Sequence, residues 1–398
     1  MREVKDSGVE WLGEVPAGWE LHRAKRLFRL TNDKGNGDLT LLAATQKHGM
    51  WPQDRLEGVV RVKDDTDLSK FRTVHKNDFV ISLRSFQGGF ERSDFEGVCS
   101  PAYQTFCAIE PIDYQFFKYL FKSSSFIDHM NSLTLGIREG KTIKFDDFAT
   151  QVLPMPPLEG QRRIADYLDE KCVEIDRAIS AAEQSIEELS LYRSARLEET
   201  IAKVSHEAPL EKLKYVLKES KDKSPDGIGE PLSITIAHGV LRSAELSIPN
   251  PTSSLVGAKA VHAGDLVFNK LKAYYGVMYV SPYTGLISPE YAVYQAIDTE
   301  NTSLKYLEYV FHTVAVIDEF IIRISGVADG FRRLYTSDLF DIAVPVPSIE
   351  VQQDIVAELD DLYASIAEST EAKQAIIADL KAYKQSLIYE TVTGKREV

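Results

Sequence analysis

The sequence is poor in cysteine, which narrows the classes of protein it can belong to. Its 398 residues include three cysteines, Cys99, Cys107 and Cys172, and no Cys-x-x-Cys pair. The odd number and the spacing indicate neither a disulfide framework nor a zinc cluster. The eight histidines show no His-Glu-x-x-His or other paired ligand spacing, so no metal site is predicted.

Long apolar runs are missing as well. No run approaches the roughly 20 residues that a transmembrane helix needs. The N-terminal stretch MREVKDSGVEWLGEVPAGW has no apolar signal core and no small-residue cleavage site. We therefore expect a cytoplasmic protein that does not enter a membrane. With 44% hydrophobic and 27% charged residues, the composition is that of a globular chain of two or three domains.

Sequence signatures of catalysis are also absent. There is no GxxxxGK(S/T) phosphate loop, GxGxxG turn, GxSxG elbow or NPPY-type run. The best candidate centre is Asp128 with Glu139 and Lys141, which resembles a metal-dependent nuclease site. In the internal repeat described next, Glu139 aligns with Gly330 and Lys141 with Arg332. A contact to phosphate or base fits this loss of the acid better than catalysis, and no catalytic residue is predicted.

What the sequence does contain is an internal repeat. Residues 154–200 align with residues 345–391 at a constant offset of 191, with 14 identities in 47 positions. Both copies open on a Pro-x-Pro segment, PMPPLEGQRRIADYLDE in the first and PVPSIEVQQDIVAELDD in the second. Upstream stretches align too, such as GVCSPAYQTF with GLISPEYAVY. We infer a duplication in which each copy is a globule followed by a helix.

Each Pro-x-Pro segment is followed by a long helical pattern. In the first copy the apolar stripe comprises Ile164, Leu168, Cys172, Ile175, Ile179, Ala182, Ile186 and Leu189. In the second it comprises Ile355, Leu359, Leu362, Ile366, Ile376, Leu380, Tyr383 and Leu387, with polar Ser369 and Lys373 at its centre. A helix of about 66 Å, at 1.5 Å per residue, has to bury such a stripe. We expect the two helices to pack against each other; two ordinary core helices are the alternative.

The globules carry short β-rich runs, such as DFVISL and DLVFN, mixed with short helical patterns. The predicted fold class is α+β, with two globular domains joined by two long antiparallel coiled-coil helices in a pseudo-two-fold repeat. The predicted segments are a first domain at 1–153, a helix at 154–203, a second domain at 204–344 and a helix at 345–398.

Basic, amide and aromatic residues gather in glycine-bounded loops of both globules. Arginine and glutamine suit hydrogen bonding to guanine and adenine, lysine suits phosphate, and aromatic rings can stack on bases or wedge between them. These loops predict DNA contacts, with solvated surface charge as the alternative for any single residue. The candidate DNA-binding residues are Arg84, Ser85, Gln87, Arg138 and Lys141 in the first globule, and Lys270, Lys272, Tyr274, Tyr275, Arg332 and Arg333 in the second.

The net charge of −14 at first argues against DNA. The two predicted helical segments, however, carry −9 of it, and the first globule is nearly neutral. This distribution is not that of a free-standing electrostatic DNA binder. It indicates a reader that works inside a complex, where partner subunits supply much of the contact with phosphates.

These features together resemble the specificity subunit of a type I restriction–modification system. The Pro-x-Pro helix starts resemble the PLPPxxEQxxI motif of that family, and VKDSGVEWLGEVPAGWE resembles its usual opening. VISLRSFQGGFERSDFEGVCSPAY and FNKLKAYYGVMYVSPYTGLISPEYAVY resemble stretches of its target-recognition domains. Gly160 and Val351 replace the usual glutamate, at a helix start.

The resemblance implies a non-catalytic subunit whose two target-recognition domains each read one half of a bipartite DNA site in the major groove. The helix pair would set the spacer and dock two methyltransferase subunits, and motor-nuclease subunits would join them. It further implies that S-adenosylmethionine binds to the methyltransferase, that ATP and magnesium bind to the motor subunit, and that this chain binds no cofactor. The predicted subunit-interface residues are Gln161, Ile164, Leu168, Gln352, Ile355 and Leu359. A coiled-coil adaptor that joins proteins without reading DNA is the competing hypothesis.

Overall fold

The computed structural model describes residues 3–46, 48–56, 66–83, 89–133, 143–246, 255–324 and 333–398. The chain divides into two compact units. The first unit consists of residues 1–183 together with 374–398, and the second unit of residues 184–373. The four segments predicted from the repeat are bounded by the starts and ends of the predicted helices, whereas the two compact units divide within the long helices. The four segments stay a prediction.

The first unit is built from short strands and helices. Its strands are β1 (Val4–Asp6), β2 (Glu14–Pro16), β3 (Glu20–Arg23), β4 (Phe28–Thr31), β5 (Leu42–Thr45), β6 (Gly49–Pro52), β7 (Arg72–Val74), β8 (Phe79–Ile81), β9 (Phe90–Arg92), β10 (Gly97–Cys99), β11 (Gln104–Ala108) and β12 (Val152–Met155). Its helices are α1 (Ala24–Leu27), α2 (Tyr114–Lys122), α3 (Ser124–Ser132), α4 (Phe145–Ala149) and the start of α5 (Leu158–Ser205).

The second unit repeats this order. Its strands are β13 (Leu210–Lys212), β14 (Leu217–Glu219), β15 (Leu232–Thr235), β16 (Gly239–Arg242), β17 (Lys259–Val261), β18 (Leu266–Phe268), β19 (Met278–Val280), β20 (Gly285–Ile287), β21 (Ala292–Ala296) and β22 (Ala343–Pro345). Its helices are α6 (Leu213–Val216), α7 (Leu304–Phe311), α8 (Val314–Arg323), α9 (Thr336–Phe340) and the start of α10 (Ile349–Val392).

The main sheet of each unit has the same strand order. Among the described residues, the first unit forms the antiparallel sheet β4-β11-β8-β9 and the second forms β14-β21-β18-β19. The pairs β3-β12 and β13-β22 also correspond. The duplication inferred from the sequence therefore extends through the three-dimensional fold.

Aromatic side chains fill the core of the first unit. Phe28 lies between Phe79, Phe106 and Phe117, with ring centroids 5.3–5.8 Å apart at nearly perpendicular angles. All four are almost completely buried. Such edge-to-face contacts add about 0.5–1.5 kcal/mol per pair to the burial itself. In the second unit, Tyr294 and other tyrosines take part in the core, so that buried hydroxyl groups need partners.

Each long helix starts in one unit and ends in the other. In the first unit α5 and α10 run antiparallel, because Asp176 contacts Lys384 at 2.7 Å while Glu183 contacts Lys381 at 3.7 Å. In the second unit they also run antiparallel: Arg196 pairs with Glu358 at 2.7 Å, and the Arg193 guanidinium lies 4.1 Å from the Tyr363 ring centroid. None of the described helices is long and apolar enough to cross a membrane.

The predicted apolar stripe holds at the helix ends and differs near the middle of α10. Ile355 and Leu359 are buried, as is Leu387 near the end of α10. The side chain of Ile376, which the sequence placed in the stripe, is 53% exposed, and its neighbour Ile377 is buried instead. The polar residues Ser369 and Lys373 break the heptad pattern at this point, whereas the constant offset of the repeat aligns the buried Ile377 with Ile186 of the first stripe.

Candidate nucleic-acid interface

The predicted DNA-binding residues divide between described and undescribed parts of the chain. Arg84, Ser85, Gln87, Arg138, Lys141 and Arg332 lie outside the described residues. Lys270, Lys272, Tyr274, Tyr275 and Arg333 are described, and all five belong to the second unit. The geometry of the candidate interface is therefore built from the second unit.

Four of these residues lie on one tight turn, residues 270–276, here called the presenting turn. It is a 3-10 helix at Lys270–Tyr275 that follows β18. The side chain of Asn269 caps its start by accepting a hydrogen bond from the Leu271 N–H at 3.1 Å. Gly276 ends it with φ of 64°, and a Cβ there would lie 3.1 Å from the His312 ring. Glycine suits both the left-handed backbone and the close approach.

The presenting turn directs three side chains toward solvent. Lys272 is exposed, and Tyr274 and Tyr275 are 40% and 54% exposed. The two tyrosine ring centroids lie 4.2 Å apart, so the rings form one aromatic surface. Aromatic faces next to a lysine can stack on bases and contact phosphate. This is the arrangement that the sequence predicted for a DNA contact.

Lys270 is held differently from its neighbours on the turn. Its side chain is mostly buried, and its Nζ lies 3.5 Å from Glu219 Oε1, which also pairs with Lys259 at 2.9 Å. Glu219 Oε2 accepts a hydrogen bond from Thr336 at 2.7 Å. Burial alone would raise the pKa of Glu219, but hydrogen bonds from Lys259 and Thr336 and the charge of Lys270 lower it. Glu219 is therefore a negatively charged carboxylate that is shared by two lysines, Lys259 and Lys270.

Arg333 is brought close to the presenting turn. The N–H of the next residue, Leu334, donates to the carbonyl of Lys270 at 3.1 Å. The Arg333 guanidinium pairs with Glu290 at 2.8 Å, and both side chains are partly exposed. The backbone at Arg333 therefore lies next to the presenting turn, which carries Lys272 and the two tyrosines.

His312 supports the other end of the presenting turn. Its Nε2 lies 2.8 Å from the carbonyl oxygen of Gly276, a contact that requires the Nε2–H tautomer. The ring also packs on Tyr279, with centroids 4.8 Å apart. Burial lowers the pKa of His312 to about 4, although the Gly276 carbonyl opposes this shift. His312, Glu219 and Glu290 were not predicted from the sequence, because no motif links them to a turn that lies far away in the chain.

In the first unit, the roots of the two predicted loops lie side by side. Gln104, the first residue of β11, lies opposite Ile81, the last residue of β8 and the residue that precedes the first loop. Gln104 Oε1 accepts a hydrogen bond from the Phe145 N–H at 2.9 Å, just after the second loop. The described residues next to the two loops are thus joined by a strand pairing and a hydrogen bond, and the DNA contacts of the loops stay a prediction.

The structure does not support a nuclease centre in the described part of the chain. Asp128 lies exposed on α3, whereas Glu139 and Lys141 are outside the described residues. No group of three or more His, Cys, Asp or Glu side chains among the described residues is placed to hold a metal ion.

The predicted subunit-interface residues are engaged inside this chain. Gln161 Oε1 accepts from the N–H of Asp113 at 2.8 Å, and Gln352 Oε1 accepts from the N–H of Ser303 at 2.8 Å. Asp113 and Ser303 are the N-caps of α2 and α7. Each glutamine also donates to the carbonyl of the second proline of its Pro-x-Pro segment, Pro156 or Pro347. The repeated glutamine therefore ties each long helix to a short helix of its own unit.

The apolar members of the predicted interface are buried as well. Ile164 and Ile355 are each 5% exposed, and Leu168 and Leu359 are fully buried. In the second unit, Ile355 and Leu359 pack into the main core cluster. These side chains hold helices to their units, and a role in contacting a partner subunit stays a prediction.

Comparisons with known proteins agree with this architecture. Residues 17–189 match the family model described as the type I restriction modification DNA specificity domain. A structure described as the basis of complex assembly and conformational transition of the type I R-M system matches with a TM-score of 0.71 and 18% identity, covering 96% of this chain and 99% of its own. The HsdS subunit from Thermoanaerobacter tengcongensis matches with a TM-score of 0.57 and 17% identity, covering 96% and 98%. No curated protein matches the chain.

The fold defines a protein of two repeated α+β domains joined by two long antiparallel helices, as the sequence predicted. The matched region spans most of the first unit, and the second unit repeats the same sheet. Residues 17–189 of the chain are thus similar to the DNA specificity domain of type I restriction–modification systems, and the two solved structures share the fold of nearly the whole chain. The resemblance noted in the sequence is thereby confirmed.

Proposed function

We propose that each unit reads one half of a bipartite DNA site in the major groove. The observation that carries this proposal is the duplication: one matched DNA specificity domain is followed by a second unit with the same sheet order. Two similar but unequal readers suit two different half-sequences. The presenting turn and Arg333 read the second half, and the loops with Arg84, Ser85, Gln87, Arg138 and Lys141 read the first.

The long helices set the spacer between the half-sites and dock two methyltransferase subunits. The acidic charge of the helical segments supports a protein partner there rather than DNA. Motor-nuclease subunits join this core. The chain itself is non-catalytic and binds no cofactor, with S-adenosylmethionine on the methyltransferase and ATP and magnesium on the motor subunit.

Co-expression with the neighbouring methyltransferase gene, followed by genome-wide methylation mapping, tests the proposal. We expect methylated adenines in one bipartite motif with a fixed spacer, because two readers on a stiff helix pair fix the half-site distance. The matched control is the methyltransferase expressed alone, which should leave the motif unmodified.

Two outcomes would contradict the proposal. A methylated motif that is one continuous sequence without a spacer would contradict the recognition of a bipartite site. Methylation that does not depend on this chain would favour the adaptor hypothesis, in which the helices join proteins and the units ignore DNA.

A further inference from the structure

The carboxylate of Glu219 connects its own strand, β14, with β17, the presenting turn and α9. Glu219, the last residue of β14, contacts Lys259 on β17 and Lys270 on the turn through Oε1, at 2.9 and 3.5 Å. Through Oε2 it accepts from Thr336, the first residue of α9, at 2.7 Å. The Thr336 hydroxyl also lies 3.0 Å from the hydroxyl of Tyr294 on β21. Glu219 therefore ties the turn and the start of α9 to the sheet.

In the first unit an uncharged residue occupies the position of Glu219, although Arg72 matches Lys259 in the strand register. In the sheet register, Glu219 lies opposite Tyr294, and Leu30 lies opposite Phe106 at the matching position. Phe106 packs on Phe145, the first residue of α4, with ring centroids 5.5 Å apart. The same sheet therefore forms with an apolar residue at this position, and the carboxylate network is particular to the second unit among the described residues.

The network places its charges below the exposed surface. The side chains of Lys259 and Lys270 are 11% and 19% exposed, whereas Lys272 is exposed on the same turn as the two tyrosines. A lysine side chain that is held against a carboxylate is less available to bind a DNA phosphate. It anchors the turn instead, and an anchored turn loses less conformational entropy when it binds.

We propose that Glu219 is a positioning residue that determines sequence discrimination at the half-site read by the second unit, without touching DNA. The inference rests on the proposed function. Loss of the carboxylate would release the turn from α9 and leave Lys259 and Lys270 free to bind phosphates of any sequence. Discrimination at one half-site should then fall while overall affinity for DNA is kept.

The test uses Glu219→Gln in the full chain, in complex with its methyltransferase. The amide keeps an acceptor for Thr336 and removes the negative charge. Binding is measured to the mapped site, to a duplex with the first half scrambled and to one with the second half scrambled. We expect the affinity ratio of intact to second-half-scrambled DNA to fall about tenfold, the scale of one or two base contacts. The ratio for the first half should not change.

Asp341→Asn is the matched control, since Asp341 is an exposed carboxylate of the same unit that pairs with Lys212 at 3.0 Å. It should keep both wild-type ratios. Thr336→Val, which cuts the same tie at α9 and keeps every charge, should lower the second-half ratio by a smaller factor. Melting temperatures of all variants show whether they are folded.

The inference would be overturned if Glu219→Gln kept both wild-type affinity ratios, as Asp341→Asn should. It would also be overturned if Glu219→Gln lowered the first-half and second-half ratios equally, because that result indicates a general structural role. If Glu219→Gln does not fold, an unchanged second-half ratio in Thr336→Val overturns it equally. A wild-type complex that prefers neither half would overturn the proposed function itself. A wild type with two normal ratios and unaltered variants would overturn this inference alone.

Discussion

At the scale of residues, the two units fill matching positions with different chemistry. On the edge strands β9 and β19, Glu91 and Tyr279 are at matching register positions. Glu91 pairs with Lys122 from α2, and burial raises the pKa of its carboxyl group to about 7 despite that lysine. Tyr279 instead packs on His312, which supports the presenting turn. Changes of this kind alter what a unit displays while its fold is kept.

His312 gives the second unit a predictable dependence on pH. Burial lowers the pKa of His312 from 6.5 to about 4. Between these two pH values the imidazole is protonated in the unfolded chain and neutral in the folded chain. The free energy of unfolding therefore decreases progressively as the pH falls from about 6.5 toward 4. We expect at most about 3 kcal/mol less stability at the acidic end. Urea unfolding at pH 7.5 and pH 5 would measure it.

His312→Gln is the control for this experiment, because it removes the titrating ring and keeps a donor for the Gly276 carbonyl. The wild type should lose more stability than the variant between the two pH values. Equal losses in wild type and variant would show that other groups cause the acid sensitivity.

At the scale of elements, the long helices combine anchored ends with a less buried middle. Leu168 and Leu359 are fully buried, whereas Ile186 and Leu189 near the middle of α5 are half-buried. The start of each helix is also tied to its unit by the repeated glutamine, Gln161 in α5 and Gln352 in α10. Length changes in the middle should therefore leave the attachment of each helix to its unit intact.

Deleting one heptad from each helix tests the role of the helices in spacing. Removal of 182–188 and of the repeat-equivalent 373–379 shortens each helix by about 10 Å and keeps the heptad register. We expect the spacer in the methylated motif to shrink by about three base pairs, at about 3.4 Å per base pair, while both half-sequences stay the same. Methylation mapping reads both quantities at once.

Duplicating the same two heptads is the matched control and should lengthen the spacer. The role of the helices in spacing would be refuted by variants whose half-sequences change while the spacer does not. Loss of all methylation in a folded variant would count against it too.

At the scale of the whole molecule, the proposed function assigns one half of the DNA site to each repeated unit. Their independence predicts reciprocal effects of loop substitutions. Arg138→Ala with Lys141→Ala should weaken recognition of the first half-site only, and Tyr274→Ala with Tyr275→Ala should weaken the second only. We expect about 1–3 kcal/mol per lost base or stacking contact. Binding to duplexes with single scrambled halves measures each effect.

Each double variant serves as the control for the other, because both are read against the same three duplexes. Equal losses at both halves in either variant would argue against separate readers. No loss in either would remove these residues from the interface.

The sequence by itself determined the duplication and the two long helices. The constant offset of 191 and the heptad spacing are local patterns that are legible without coordinates. It also located the exposed Lys272, Tyr274 and Tyr275, since a glycine-bounded run of basic and aromatic residues indicates a displayed turn.

Only the tertiary structure decided how the presenting turn is held. Glu219 lies 51 residues before Lys270 and 117 before Thr336, and His312 lies 36 residues after Gly276. Sheet register and helix packing bring these groups together, and no periodicity in the sequence records such contacts. For the same reason the hydrogen bonds of Gln161 and Gln352 to the N-caps of α2 and α7 were not predicted, and the role of these glutamines in contacting a partner subunit stays a prediction.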